Sequence, residues 1–396
     1  MTMEYGISAP LVKHAHPPKV ALLVETSNGY ARGLLGGVEH YIRNRGPWNV
    51  LLAERRRGDE GPRWIERWDG DGIIARVENE QIADLLRQVR QPVVNLSATS
   101  FLSQAPVVTT DNQAIARQAV EHFLGRGFEN FAFCGLDQFG WSEDRGSCFE
   151  ALLREKGFGC YRFNVPSLEQ AESDAQMDEI AHWLLSLPKP IAIMACYDAR
   201  GQQVLDACQR ARLSVPEEVA VLGVDNDELL CSLSPPPLSS INPNALHSGW
   251  VAAALLDQMM GGLPVEIRSY LSNPAGIITR QSTDVLAADD HHVARALRYI
   301  RERGHEGISV SDVVDTVGIS RRSLETRMKK TIGRSPHEEI MRVQINRAKQ
   351  LMLGSFLTLS DVAERCGFQN TEYLSVAFKR ATGMPPRDYR KLHGER

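Results

Sequence analysis

The 396-residue sequence predicts a two-lobed α/β domain followed by a smaller all-α domain with two helix-turn-helix units. Three observations predict this fold class. Short apolar runs alternate with helical segments over residues 19–285, an internal repeat occupies residues 291–396, and the sign of the net charge changes between these parts. A chain of this length exceeds one ordinary hydrophobic core, so more than one domain is expected.

The first part alternates strands and helices. The predicted strands are Val20–Val24, Val50–Ala53, Gly72–Ala75, Pro92–Leu96, Val107–Thr109, Phe131–Gly135, Tyr161–Val165, Ile191–Ala195, Val219–Val224 and Ser239–Ile241. The predicted helices are Gly29–Arg43, Asn79–Arg90, Asn112–Arg126, Ser142–Lys156, Ala171–Ser186, Ala199–Ala211 and Ala245–Met260. This alternation favours parallel, doubly wound sheets with right-handed crossovers, and about 265 residues suit two such lobes better than one.

The composition excludes several classes of protein. Hydrophobic residues make up 43% and charged residues 24% of the chain, unlike a disordered or collagen-like protein. No apolar run approaches the roughly 18 residues of a membrane helix, and residues 1–18 are a predicted flexible tail without the pattern of a signal peptide. The seven cysteines are scattered with no CxxC pair, which indicates reduced, mostly buried thiols. We therefore expect a cytoplasmic protein with no membrane partner.

Enzyme motifs are not found in the sequence. It contains neither a GxxxxGK(S/T) phosphate loop nor a GxSxG nucleophile elbow. Residues 70–75 match GxGxxA by letter, but they open an apolar strand instead of following one. The histidine pairs His14/His16 and His291/His292 are interpreted as surface side chains rather than metal ligands. We expect no catalytic residue, no metal and no cofactor, and therefore not an enzyme.

Polar and aromatic side chains cluster after the predicted strands, at the edge where open α/β sheets bind ligands. These candidate ligand-binding residues are Asn28, Tyr30, Asp111, Trp141, Arg145, Asp198 and Asp225. Carboxylates and a guanidinium can pair with vicinal hydroxyls, and an aromatic face can pack on the C–H side of a sugar ring. Each residue alone has a structural alternative: Asp111 could be a helix cap and Trp141 a core residue.

Residues 19–285 resemble the periplasmic-binding-protein-like sensor of LacI-type repressors. The resemblance lies in the stretch 110–128, in Arg145–Phe149 and in Val215–Asp225. The matching Arg and Asp of that family contact the effector, so the resemblance implies this role for Arg145 and Asp225. The family commonly has Asn at the position before Asp198, where this sequence has Tyr197. This departure implies that the ligand is bound differently on that side.

The charge is divided unevenly along the chain. Residues 291–396 contain 20 Lys and Arg against 12 Asp and Glu, a net +8, whereas the remainder carries −12. The short polar segment 286–290, where the sign changes, is a predicted linker. A basic end on an acidic body indicates an anionic partner at one end, although charge alone also fits a solvated basic surface.

Residues 291–396 contain two copies of one unit. Residues 309–314 (SVSDVV) parallel 358–363 (TLSDVA), and the match continues to Pro336 and Pro386. Each copy begins with a capping pattern, forms a short apolar helix, turns at Gly318 or Gly367 and continues in a second helix. The predicted helix-turn-helix units span residues 309–330 and 358–380.

The outward side of each second helix is predicted to bind double-stranded DNA. The candidate residues are Arg321, Arg322, Glu325, Arg327, Gln369, Asn370, Thr371, Ser375, Lys379 and Arg380. Arg recognises guanine, Asn or Gln recognises adenine, and Lys suits phosphates. A helix predicted over residues 337–353 would space the two units for successive major-groove faces about 34 Å apart.

Residues 291–396 resemble the AraC/XylS-type DNA-binding domain, most specifically in Asn346–Met352 and Cys366–Arg390. A LacI-type sensor in front of such a domain resembles the xylose-operon regulators. That resemblance implies D-xylose as effector, activation of genes for xylose catabolism and uptake, a homodimer and RNA polymerase as a partner. Two alternatives stay open: another sugar or a purine as effector, and a sugar-processing enzyme with a DNA-binding appendage.

Overall fold

The computed structural model describes residues 14–52, 56, 61–98, 100–167, 169, 173–284, 290–354 and 357–393. The chain divides into two compact units, Met1–Asp284 and Val285–Arg396. Of the predicted linker, only Asp290 is among the described residues, and it caps the first helix of the second unit. Residues 1–13 of the predicted tail and 286–289 of the linker lie outside the described residues.

The first lobe is built on a six-stranded parallel sheet. Its strands are β1 (Lys19–Leu23), β2 (Asn49–Leu52), β3 (Gly72–Ala75), β4 (Val93–Asn95), β5 (Val107–Thr110) and β11 (Ser269–Ser272), in the order β11-β5-β4-β3-β1-β2. Its helices are α1 (Gly29–Arg45), α2 (Glu80–Arg87) and α8 (Ala245–Met260). β1 and β3 are almost wholly apolar because helices cover both faces of the sheet.

The second lobe repeats this arrangement. Its strands are β6 (Phe131–Leu136), β7 (Tyr161–Val165), β8 (Ile191–Ala195), β9 (Val219–Val224), β10 (Ser239–Asn242) and β12 (Gly276–Ile278), in the order β12-β10-β9-β8-β6-β7. Its helices are α3 (Asn112–Leu124), α4 (Gly140–Glu155), α5 (Asp174–Ser186), α6 (Asp198–Arg210) and α7 (Glu228–Leu233). All pairs are parallel except β10–β12, which is antiparallel.

The chain crosses between the lobes three times. It passes from β5 into α3, from β10 into α8, and from β11 into β12. Each crossing leaves a strand at the edge where the two lobes face each other. The predicted fold class is confirmed, and the crossings place the strand ends of both sheets around one cleft.

The tail differs from its prediction at the residues that the structure describes. The His14 imidazole Nε2 lies 2.8 Å from Asp257 Oδ1, and the Tyr41 hydroxyl donates to Asp257 Oδ2 at 2.8 Å. Asp257 is a buried carboxylate on the mostly apolar helix α8, so it requires partners. The interpretation of His14 as a solvated side chain is therefore wrong, whereas His16 is exposed.

The second unit is helical. Its helices are α9 (His291–Arg303), α10 (Val310–Val317), α11 (Arg321–Ile332), α12 (Pro336–Gly354), α13 (Leu359–Arg365), α14 (Thr371–Thr382) and α15 (Pro386–His393). Both predicted capping patterns form complete capping boxes, from Ser309 with Asp312 and from Thr358 with Asp361. Gly318 ends α10 in the left-handed conformation that a turn there requires.

Helix α12 ties the two helix-turn-helix units together. The Gln344 side-chain amide, which is buried, donates to the carbonyl oxygens of Gly304 at 3.1 Å and Gly367 at 3.3 Å. Gly367 has a φ of +74°, and a Cβ there would lie 2.2 Å from the backbone nitrogen of Gly307. These contacts join the segment directly before the first unit to the turn of the second unit.

Candidate functional site

A polar cleft lies between the lobes, at the carboxyl ends of strands from both sheets. Its space, partly open to solvent, is about 440 Å³ and is lined by Asn28, Tyr30, Arg76, Leu96, Ser97, Ala98, Thr109, Thr110, Trp141, Arg145 and Asp225. The lobes also meet beside it, where Arg32 lies 3.5 Å from Asp227 Oδ2.

The first lobe contributes a buried charge network. Asn28 caps α1 by accepting from Ala31 N, and its amide donates to Glu25 at 3.0 Å. Arg76, directly after β3, pairs with Glu25 and with Glu78 at 3.0 Å. Its guanidinium lies 5.1 Å from the centre of the Tyr30 ring. The network therefore holds Arg76 charged and oriented toward the cleft despite its burial.

Burial keeps Tyr30 neutral. Burial raises the pKa of Tyr30 to about 12, and the nearby Arg76 only partly opposes this shift. Burial also acts to lower the pKa of Arg76, but Glu78 and Glu25 outweigh it and raise that pKa. The first lobe thus offers a neutral phenol and a cationic guanidinium at neutral pH.

The second lobe contributes a fixed arginine and an aromatic platform. The Nε–H of Arg145 on α4 donates to Asn112 Oδ1 at 3.0 Å, and another guanidinium nitrogen donates to the Cys196 carbonyl. The Arg145 guanidinium carbon lies 5.3 Å from the centre of the Trp141 ring. Tyr197, which departs from the family pattern, packs edge-on against Trp141 at 6.0 Å between ring centres.

Asp225 sits on a strained turn after β9. Its φ is +115° and that of Asn226 is +50°, conformations that non-glycine residues rarely adopt. Backbone strain of this kind persists only where surrounding contacts enforce it. Here Asn226 N donates to Ser240 Oγ at 3.0 Å, and Arg280 donates to the Asn226 side-chain oxygen at 2.9 Å.

Two of the predicted site residues lie outside the cleft lining. Asp198 is buried below the turn, where it accepts from Ser240 Oγ at 2.5 Å and from Asp227 N at 2.8 Å. Burial, and then the charge of Asp225, raises the pKa of Asp198. Asp111 caps α3 by accepting from Ala114 N at 2.9 Å. Both carboxylates therefore accept hydrogen bonds from backbone or hydroxyl groups of the protein itself.

The structure also adds residues that the sequence interpretation missed. Arg76 and the pair Thr109–Thr110 line the cleft. All three lie at the ends of predicted strands, so the rule that selected Asp225 would also have selected them. The sequence did not reveal that Arg76 has two buried carboxylates nearby, because Glu25 follows a different strand.

Most of the candidate DNA-binding residues are exposed, Glu325, Thr371 and Ser375 are half-buried, and several also have a partner within the second unit. Arg322, Gln369, Lys379 and Arg380 are exposed on the outer sides of their units. The engaged residues are Arg321 with Glu325 at 2.9 Å, Arg327 with Asp290 at 2.6 Å, Asn370 as the cap of α14, and Ser375 bonded to the Thr371 carbonyl. The buried sides carry Leu324 and Met328 in one copy, and Leu374 and Phe378 in the other.

Three family models match the chain. A model described as the XylR N-terminal domain matches residues 19–113, and a periplasmic binding protein-like domain matches 120–283. A helix-turn-helix domain matches 313–392. In the described part of the chain, we find no helix long and apolar enough to cross a membrane and no cluster of three or more potential metal ligands.

Relatives match over nearly the whole length. The xylose operon regulatory protein of Escherichia coli strain K12 is 32% identical over 389 residues, covering 95% of this chain and 98% of the relative. The protein of the same name from Haemophilus influenzae is 30% identical, covering 94% and 98%. A solved structure described as the xylose-binding transcription activator xylR superposes with a TM-score of 0.82 at 30% identity, covering 96% and 100%.

A two-lobed sensor with a polar cleft, followed by two helix-turn-helix units, defines a ligand-responsive transcription regulator. The extent of the matches then specifies the family. The chain belongs to the xylose operon regulatory proteins.

Proposed function

We propose that this protein is a D-xylose-dependent activator of genes for xylose catabolism and uptake. The names of its relatives refer to a xylose operon, and the similar solved protein is described as a xylose-binding transcription activator. The observation that carries the proposal is the cleft itself. Asp225, Arg145 and Trp141 on one lobe face Asn28, Tyr30 and Arg76 on the other.

Each of these groups has a role toward a pentose. Asp225 accepts hydrogen bonds from adjacent hydroxyls, and Arg145 donates to ring or hydroxyl oxygens. The Trp141 ring packs on the C–H side of the sugar. Tyr30, Asn28 and Arg76 bind the opposite edge. A sugar that bridges both walls favours the closed lobes, to the extent that it binds that state more tightly.

We propose that the second unit binds promoter DNA and so converts sugar binding into a change in transcription. We propose that a homodimer places its helix-turn-helix units on promoter half-sites and that RNA polymerase is recruited there, in the cytoplasm. The cleft lining combines hydrogen-bonding groups with two aromatic rings, those of Tyr30 and Trp141, which is what recognition of a sugar requires. We propose sugar binding as the event that takes place in this cleft.

Removing the Asp225 carboxylate is the direct test. Asp225→Ala should weaken D-xylose binding by roughly 1.5–3 kcal/mol, because a charge-assisted hydrogen-bond partner is lost. Titration calorimetry measures this loss. Asp137→Ala is a matched control, since that carboxylate also follows a strand, β6, but is exposed and does not line the cleft.

A DNA titration without sugar completes the test. The variant should bind promoter DNA as the wild-type chain does. Unchanged xylose affinity in Asp225→Ala would remove this residue from the site, and lost sugar-free DNA binding would make it structural. A thermal-shift panel of pentoses, hexoses and purines on the wild type tests the effector, since a ligand at a hundred times its Kd stabilises by about 2.7 kcal/mol.

A further inference from the structure

The two helices that carry the outward residues differ in charge. Helix α11 carries five cationic side chains and one carboxylate, whereas α14 carries two cationic side chains and one carboxylate. The copies are otherwise alike in their caps, turns and buried residues. The difference therefore lies in what each helix presents outward.

Helix α14 presents an apolar side chain at the middle of that surface. Val376 is 68% exposed, although its neighbours Leu374 and Phe378 are fully buried. Glu372 precedes it by one turn, and Lys379 and Arg380 follow it by one turn, so all share one side of the helix. Burying the exposed side chain of Val376 would be favourable, and on this side of the helix only a binding partner could bury it.

The chemistry of Val376 narrows what that partner can offer. An isopropyl group cannot bond to a phosphate, and Lys379 and Arg380 in the last turn suit that role. Among base edges in the major groove, the apolar group is the 5-methyl of thymine. We infer that Val376 packs on a thymine methyl and makes the second half of the binding site specific for thymine at that position. This inference rests on the proposed DNA-binding function.

The first unit carries a smaller apolar group at the matching position, the single methyl group of Thr326. Thr326 stands there, and its hydroxyl donates to the Arg322 carbonyl at 2.8 Å. Its neighbours Arg322 and Lys329 are cationic and exposed. We therefore expect the first half of the site to depend mainly on guanidinium contacts with guanine and the second on the larger apolar contact of Val376, so the two half-sites should differ in sequence.

The experiment removes one methyl group from DNA and, separately, shortens the valine. The full-length wild-type chain first selects duplexes from a random library. Each thymine of the selected duplex is then replaced by deoxyuridine, which keeps every hydrogen-bonding group of the base. One position should lose about fourfold in affinity, the equivalent of one buried methyl group.

Val376→Ala should weaken the thymine duplex and abolish its preference over the uracil duplex. The exposed position makes misfolding a minor concern, and alanine favours the helix. Lys379→Ala is the matched control: it should weaken both duplexes alike and reduce the salt dependence. In a further pair of duplexes, cytosine or 5-methylcytosine replaces the selected thymine. The wild type should bind the 5-methylcytosine duplex more tightly than the cytosine duplex, and Val376→Ala should not.

The outcomes separate the two proposals. If no duplex is enriched, the DNA-binding function fails and this inference with it. If duplexes are enriched but no uracil replacement matters, or if Val376→Ala keeps the methyl preference, the contact with thymine is refuted while the function stands. A uniform loss on all sequences in Val376→Ala would make Val376 structural and also refute it.

Discussion

His122 links the stability of the sensor to pH. Its Nε2 lies 2.9 Å from Thr283 Oγ1, and Arg126 on the next turn donates to the Thr283 carbonyl at 2.8 Å. Burial, and then the charge of Arg126, lowers the pKa of His122 from 6.5 to about 3. Between these values the unfolded chain takes up a proton that the folded chain does not, so stability is complete above pH 6.5 and falls as the pH falls.

His122→Gln should remove this dependence while retaining a hydrogen-bonding amide toward Thr283. The wild type should lose roughly 1–2 kcal/mol more than the variant between pH 6.5 and 5. Urea unfolding followed by tryptophan fluorescence measures this, because all six tryptophans lie in the first unit. His16→Gln, at an exposed histidine, should behave like the wild type. Equal pH dependence in wild type and His122→Gln would refute this account.

At the scale of elements, α1 and α8 cross in unusually close contact. A Cβ at Gly249 would lie 1.9 Å from the Leu34 carbonyl oxygen, and one at Gly37 would lie 2.0 Å from the Leu246 carbonyl oxygen. Both neighbours are backbone atoms, which cannot move aside as a side chain can. The two glycines therefore let the helices approach, and α8 covers the sheet of the first lobe.

Gly249→Ala should destabilise the sensor by about 1–3 kcal/mol, because overpacking outweighs the better helix propensity of alanine. Gly36→Ala is the matched control on α1, since no atom lies within 4 Å of its added Cβ. It should stabilise the helix by up to about 1 kcal/mol. Tryptophan-detected urea unfolding compares both, and equal stability of the two variants would contradict the packing argument.

Elements with a strong local pattern were predicted, and elements without one were missed. β6 and β9 are apolar runs with every residue buried, and the capping boxes are defined within four residues. β11 is a four-residue edge strand that mixes two serines with a tyrosine and an exposed leucine, and β12 has only three residues. Both are held by pairing with strands distant in sequence, which composition alone does not encode.

The candidate site follows the same logic. Position after a strand predicted Asp225 and Arg145 because the topology brings strand ends together. Position after a strand did not distinguish a side chain that faces the cleft from one that is hydrogen-bonded within a turn. The Asp198 carboxylate accepts hydrogen bonds from Ser240 and Asp227, which are 42 and 29 residues away in sequence. Only the folded chain reveals such partners.

At the scale of the whole molecule, the two units differ in charge and have separate cores. The sensor core lies around its two sheets, whereas Ile345, Val362, Leu374 and Phe378 form a core within the second unit. Gln344 joins its two halves by hydrogen bonds. With its own core and its own helix caps, the second unit meets the conditions for folding alone.

A fragment of residues 286–396 should therefore fold and bind DNA without regard to xylose. Far-UV circular dichroism establishes folding first. Its affinity for promoter DNA should fall steeply with salt, because Lys and Arg contacts release counterions from the phosphates. The full-length chain supplies the comparison, since its DNA binding should respond to the sugar. A folded fragment that binds no duplex at low salt would place essential DNA contacts in the sensor. A fragment whose binding changes with xylose would refute the assignment of the sugar site to the cleft.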